Sequence, residues 1–310
     1  MKFNKPNFWD LDKPNFLAKI LLPFTIPIII NNLLPKKKFY KKNIKTICVG
    51  NIYLGGTGKT PVSMKIHKIL KKLNYKVAFI KKDYTDQKDE QNLLKKNGIL
   101  FSENTRLDSL NKAITKKINY AIFDDGLQDK NINYDITIVC FNAKNWIGNG
   151  QLIPSGPLRE RINSLRKYDA IFLNGNRNNN LHIKSLIKEK FPHINIFEAI
   201  YVPLNLNKIN IHKKYLIFSG IGNPESFKTT LQNNKINVLQ SLEYPDHYNY
   251  DNQDINKIRK IAKKTNANIL TTEKDYMRLS KANSKNIQFL KIELQIKDEK
   301  KFINFLKSKI

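Results

Sequence analysis

The chain has 310 residues, 55 basic against 26 acidic for a formal net charge of +29, and is 41% hydrophobic, which fits a globular protein of about two domains. The charge favours anionic partners (nucleic acid, anionic lipid or a phosphorylated substrate), although the Lys, Asn and Ile bias of an AT-rich coding sequence gives the same surface with no partner at all. Two cysteines, Cys48 and Cys140, both lie in apolar runs, which suits a reducing compartment and argues against a disulfide framework or a zinc site.

Residues 16–34, FLAKILLPFTIPIIINNLL, are strongly apolar but interrupted by Lys19, Pro23, Pro27, Asn31 and Asn32, so they make a poor membrane span. No small-residue cleavage site follows, so a signal peptide is not convincing either. Directly after them stand Lys36, Lys37, Lys38, Lys41, Lys42 and Lys45. An apolar surface beside a polybasic run suits a segment lying on an anionic bilayer; the competing reading is a segment packed onto its own domain.

From residue 45, apolar runs alternate with helical patterns. KTICVGN and YKVAFIKK read as buried strands around the amphipathic helix PVSMKIHKILKKLN, and INYAIFDDG, DITIVCFN and DAIFLNG as three further strands. Strands separated by helices imply crossovers and a mostly parallel sheet covered on both faces. The Asn-rich stretch 174–180 reads as a surface loop. After residue 205 the pattern restarts with KYLIFSGIGNPESFKTTLQ, the helix DNQDINKIRKIAKK, ANILTTEKDYMRL and one final strand, IQFLKIELQI. The expected organisation is an apolar, basic segment over 1–45, a larger α/β domain over 46–205 and a smaller one over 206–310, with a ligand between the two at the carboxyl ends of strands.

The stretch GNIYLGGTGKTPV, residues 50–62, sits between a buried strand and a helix. Glycines there let peptide N–H groups converge on phosphates, and the helix N-terminus adds positive potential. Gly55, Gly56, Thr57 and Gly58 form the expected cradle, Lys59 reaches the β- and γ-phosphates, and the Thr60 hydroxyl ligates Mg²⁺. Pro61 suits a first helical turn. The general phosphate-loop pattern has glycine where this chain has Tyr53. Such a loop calls for a carboxylate at the end of a second strand, and Asp124 and Asp125 in YAIFDDGLQD supply it, unless they are only a solvated turn. Together these residues point to ATP and Mg²⁺ in a P-loop NTPase-type domain.

GNIYLGGTGKTPV, FDDGLQD, GQLIPSGPLRE, FSGIGNPESF, YPDHYNY and ILTTEKDYMRL stand in the order of the tetraacyldisaccharide 4′-kinases, the lipid A kinases of Gram-negative bacteria, and the chain resembles that family over nearly its whole length. The resemblance implies phosphoryl transfer from ATP to the 4′-hydroxyl of a lipid A disaccharide 1-phosphate at the cytoplasmic face of the inner membrane, with the active site between two α/β lobes. It points to Asp89, in KDEQNLL, as catalytic acid–base residue, and to His247, in PDHY, as its partner. On their own surroundings Asp89 reads as a surface acid and His247 as a capping or core histidine. Gln128, Arg159, Glu160, Glu273, Lys274 and Asp275 also fall on family blocks. The family's S-R-G-Y segment reads KKDY at 81–84, the histidine of G-L-Q-H is Asp129, and the proline after P-L-R-E is Arg161. A P-loop ATPase switch of the DNA-partitioning or membrane-positioning type is the alternative, but its signature lysine before the paired glycines is here Leu54. The dispersed lysines accompany no nucleic-acid recognition motif, and no nucleic-acid partner is expected.

Overall fold

The computed structural model describes residues 5–34, 43–84, 88–175 and 180–309. Lys36, Lys37, Lys38, Lys41 and Lys42 of the basic run, and the middle of the Asn-rich stretch, lie outside them.

Two short helices, α1 (Phe16–Ile20) and α2 (Ile26–Leu33), precede β1 (Lys45–Gly50). The run KTICVG is buried at every position after Lys45, as expected of a strand with elements on both faces. Then follow α3 (Lys59–Lys72), β2 (Val77–Lys82), α4 (Lys88–Asn97), β3 (Ile99–Glu103), α5 (Arg106–Thr115), β4 (Tyr120–Asp124), β5 (Ile136–Asn142), β6 (Ala170–Asn174), α6 (Leu181–Lys190) and β7 (Asn195–Pro203). The second half supplies β8 (Lys214–Ser219), α7 (Pro224–Asn233), β9 (Asn237–Glu243), α8 (Asn252–Lys264), β10 (Asn268–Thr272), α9 (Glu273–Tyr276), β11 (Ile287–Leu290), β12 (Ile292–Ile296) and α10 (Glu299–Lys309).

Eight strands form the larger sheet in the order β12-β7-β6-β5-β1-β4-β2-β3, all parallel except β12, which runs antiparallel to β7. From β1 the chain crosses to β2 and β3, returns to β4 beside β1, and then continues on β1's other side with β5. The strand order therefore reverses around β1, and the crevice at its carboxyl end is where ligands of such sheets bind. On one face α3 packs Val62, Ile66, Ile69 and Leu70 against Ile47, Val49, Phe79 and Ile122, each such fully buried side chain contributing about 1.5–3 kcal/mol. The four parallel strands β11-β10-β8-β9 form a second sheet, covered by Phe227 and Leu231 of α7 on one face and Ile255 and Ile258 of α8 on the other.

Three expectations need correction. IQFLKIELQI is not one strand: Ile287–Leu290 pairs with β10 in the small sheet and Ile292–Ile296 with β7 in the large one. Lys291 lies at the crossing, its N–H donating to Asn205 Oδ1 and its carbonyl accepting from the Leu204 N–H. Residues 206–310 are thus not one unit, since β12 and α10 return to the large sheet, where Phe302, Phe305 and Leu306 join the core under β6 and β7. The two ends of the Asn-rich stretch are buried rather than superficial. Asn174 ends β6 and donates to the Thr57 carbonyl at 2.7 Å, and Asn180 donates to Glu198 at 2.7 Å.

The N-terminal segment divides its apolar residues between two surfaces. Trp9 is buried and donates its indole N–H to the Pro154 carbonyl at 3.0 Å, Ala18 accepts from the Ser155 hydroxyl, and Ile28 and Ile29 pack on the core. Phe16, Phe24 and Leu33 point away, 76%, 65% and 78% exposed. Among the described residues no helix is long and apolar enough to cross a membrane.

Candidate active site

β1 delivers the chain into the glycine turn at the carboxyl edge of the sheet. Gly58 stands at the start of α3 with φ +82°, and a Cβ there would fall 2.2 Å from the Tyr201 hydroxyl and 2.7 Å from the Asn174 amide, so two separate constraints demand glycine. Asn51 holds the turn from inside, its amide donating to Thr57 Oγ1 at 3.0 Å and to the Gly55 carbonyl at 3.3 Å. Thr57 is therefore a wall of the loop, while α3 begins with no side chain capping its first N–H groups, which leaves them to an anion. Tyr53, where the general pattern has glycine, is buried, and its hydroxyl donates to Asp10 at 2.7 Å and accepts from Lys5 at 2.5 Å. The departure ties the phosphate loop to the N-terminal segment.

β4 lies beside β1 with Asp124 in register with Val49, which puts its carboxylate under the start of α3. Thr60 and Ser63 donate to Asp124 Oδ2 and Oδ1, each at 3.1 Å. Asp125 follows with φ +61°, a left-handed conformation that aspartate tolerates better than most residues. Its carboxylate lies 3.9 Å from Lys59 Nζ and 3.2 Å from Arg159. Burial raises the Asp125 carboxyl's pKa, but Lys59, Arg159 and Lys81 outweigh it and hold the group below the usual carboxylate range. Among the described residues no group of three His, Cys, Asp or Glu is arranged to hold a metal alone. The hydroxyl and two carboxylates do fit a hard cation that completes its shell with phosphate oxygens and water.

Asp89 is not a surface acid. It is buried in the first turn of α4, where Arg278 Nη2 donates to its Oδ2 at 2.7 Å, Lys274 Nζ lies 3.5 Å from the same oxygen, and His247 Nδ1 lies 3.1 Å from Oδ1. Burial raises this carboxyl's pKa, but the hydrogen bond to His247 and the charges of Lys274 and Arg278 bring it well below the ordinary value. His247 has φ +59° and is fixed by its N–H bond to the Gly220 carbonyl. Glu90, next along α4, accepts from Lys274 at 3.0 Å and from Lys81 at 2.5 Å, and Lys81 also donates to Asp124 at 2.9 Å. A hydrogen bond from Thr60 to Asp124, then ion pairs through Lys81 and Glu90 to Lys274 and Asp89, therefore form an unbroken run.

The two sheets meet at a pair of glycines. A Cβ added to Gly222, in the loop after β8, would fall 2.6 Å from the Gly56 nitrogen, and one added to Gly56 would fall 3.0 Å from the Gly222 carbonyl carbon. Backbone cannot yield as a flexible side chain can, so Gly222→Ala forces the small sheet away from the phosphate loop. A displacement of that kind costs about 10²-fold in turnover. The expected result in steady-state assays is that loss with little change in melting temperature.

A family model described as Tetraacyldisaccharide-1-P 4'-kinase matches residues 24–310. The chain is 52% identical over 307 residues to the tetraacyldisaccharide 4′-kinase of Pelagibacter ubique (strain HTCC1062), covering 99% of this chain and 98% of that one. To the corresponding protein of Rickettsia canadensis (strain McKiel) it is 34% identical, covering 100% and 97%. The chain belongs to this family. The fold is also that of LpxK from Aquifex aeolicus, solved in complex with ATP, with a TM-score of 0.64 at 22% identity over 95% of this chain and 96% of that one.

Family blocks elsewhere in the chain converge on the same crevice, with differences in role. Gln128 donates to the Asn51 carbonyl at 3.0 Å and to Glu160 at 2.9 Å, while its carbonyl accepts from Arg159 at 3.3 Å. Glu160 is buried and also accepts from the Tyr168 hydroxyl at 2.9 Å; it supports Gln128 from behind. Glu273 does not join the phosphate loop. It faces Lys96 of α4 at 3.3 Å, a link between the two halves. Asp275 accepts from the Gly220 N–H, Tyr250, Arg278 and Thr272, and so fixes the loop that carries His247's backbone partner. Of the departures from the kinase pattern, Asp129 pairs with Arg106 at 3.4 Å, and Arg106 in turn donates to the Asp125 carbonyl. Arg161 has φ −60°, an angle proline also adopts. Arg278, Lys81, Glu90, Ser63 and Arg106 were not among the predicted site residues. Arg278 stands three residues after Asp275 at helical spacing, the one local signal that could have found it.

Proposed function

We propose that the protein transfers the γ-phosphoryl group of ATP to the 4′-hydroxyl of a tetraacyldisaccharide 1-phosphate, the lipid A precursor, at the cytoplasmic face of the inner membrane. The observation that carries this reading is the unbroken run of hydrogen bonds and ion pairs joining the glycine turn to Asp89, which supports reading a nucleotide site and a proton acceptor beside one another. The N–H groups of Gly55 to Thr60 and the Lys59 ammonium hold the triphosphate. Thr60 with Asp124 or Asp125 would hold Mg²⁺, which would supply charge neutralisation on the phosphates. Arg159, beside Asp125, faces the same charge. Asp89, set by His247 and Arg278, orients the sugar hydroxyl and takes its proton. Since the transition state of such transfers is loose, alignment and charge matter more than the basicity of that carboxylate. The test is to mix the protein with ATP, Mg²⁺ and tetraacyldisaccharide 1-phosphate and follow the lipid by mass spectrometry. A gain of one phosphoryl group is expected, and ATP consumption with an unchanged lipid would refute the reading.

A substrate with buried acyl chains has to be met at a bilayer. The outward side of the N-terminal segment suits that role, with Phe16, Leu17, Ile26, Ile30 and Leu33 of α1 and α2 and Phe24 of the turn between them exposed, while Trp9 and Ala18 anchor the segment to the large domain. Each such side chain contributes up to about 1.5–3 kcal/mol on full burial. The triple change Phe16→Ser, Phe24→Ser and Leu33→Ser is therefore expected to reduce co-sedimentation with anionic vesicles at least about tenfold without lowering the melting temperature. Unchanged sedimentation would remove the membrane role.

A further inference from the structure

We propose that Lys81 is a tethered cation in the metal cradle, holding Asp124 and Glu90 together when no divalent ion is bound and weakening the cradle's affinity for one. This rests on reading the crevice as a nucleotide and magnesium site, but its test uses no catalysis.

The Lys81 side chain is 1% exposed, and its Nζ lies 2.9 Å from Asp124 Oδ2 and 2.5 Å from Glu90 Oε2. The same Asp124 oxygen accepts from Thr60, and the other from Ser63. One of the oxygens suited to a hard cation thus already faces a positive charge, within a ring of buried donors. Two carboxylates removed from water require such a charge, because an unpaired buried ion is costly. The side chain of β2 supplies that charge permanently. An incoming divalent ion at Thr60 and Asp124 then meets a like charge at hydrogen-bond distance from its own ligand, and like charges in a part-desolvated site repel strongly. Glu90 gives the displaced ammonium a place to stay, since its other oxygen remains held by Lys274 at 3.0 Å.

The experiment titrates MnCl₂ into nucleotide-free wild-type protein, Lys81→Ser and Lys81→Met, reading free Mn²⁺ by electron paramagnetic resonance and stability by thermal melting. Both variants are expected to bind Mn²⁺ at least about tenfold more tightly than wild type. Their melting temperatures should be lower in chelator and rise with Mn²⁺, while that of the wild type barely moves. Should the variants fold only when Mn²⁺ is present, the exchange of ammonium for metal is supported directly. Variants that fold with unchanged Mn²⁺ affinity, or that no divalent cation rescues, overturn the proposal. A wild type that fails to phosphorylate lipid while its variants still gain Mn²⁺ affinity would count against the kinase reading alone.

Discussion

Asp89→Asn is expected to lower kcat for lipid phosphorylation by about 10²–10⁴-fold, the range for loss of a positioned acid–base group, while the dissociation constant of ATP stays as in wild type. Asparagine keeps the shape and can still accept from Arg278, now 2.7 Å from Oδ2, so the crevice keeps its geometry and loses the carboxylate proposed as proton acceptor. Nucleotide binding is spared because Asp89 pairs with His247, Lys274 and Arg278, none of them in the phosphate loop. Single-turnover assays beside ATP calorimetry separate the two quantities. A variant with near wild-type turnover would remove Asp89 from the chemistry. The pH dependence carries a sign as well. Burial raises the Asp89 pKa and its partners depress it to a net value well below normal, so the carboxylate stays ionised and contributes no acidic limb to kcat between about pH 5 and 8. Its contribution to stability is present above the unfolded carboxyl's pKa of about 3.9 and is lost as pH falls toward the lower folded value.

Lys59→Ala is expected to cost at least about 10²–10³-fold in kcat, the loss seen when one preorganised charge-stabilising donor is removed, and to weaken ATP binding too. Both effects appear because Lys59 opens α3 at its uncapped N-terminus and lies 3.9 Å from Asp125. Its removal takes a charge from the loop and leaves Arg159, at 3.2 Å, as the ion pair of Asp125 among the described residues. Stopped-flow or calorimetric ATP titration with steady-state turnover checks both; a variant that loses neither would show that the loop binds no triphosphate. The contrast with Asp89→Asn is informative, since one change should move the binding constant and the other should not.

Much of this was legible in the sequence for a physical reason. The strand β1, the glycine turn and α3 stand next to one another in the chain, so their chemistry is written in consecutive letters, and β4 ends in its carboxylates just as a buried run must end at a sheet edge. Asp89 was legible only through resemblance. What makes it special, the guanidinium of Arg278 and the ring of His247, arrives from residues well over a hundred positions away on the other sheet. β3 and β9 lie outside the predicted runs because they are edge strands whose residues are mostly half-exposed or exposed, which leaves a weak apolar pattern. The break at Lys291 was hidden for a different reason: a kink between two sheets keeps the alternation of IQFLKIELQI intact on both sides. Lys81 was visible as a departure from the family's serine, but its meaning required seeing Asp124 and Glu90 on either side of it.

The most direct measurement is the position of the transferred phosphate. Wild-type protein given ATP, Mg²⁺ and tetraacyldisaccharide 1-phosphate in mixed vesicles should yield a lipid whose new phosphorus resonance couples to the proton on the 4′ carbon, and Asp89→Asn should yield almost none. A phosphate attached elsewhere, or ATP turnover that proceeds equally with and without the lipid, would contradict the account.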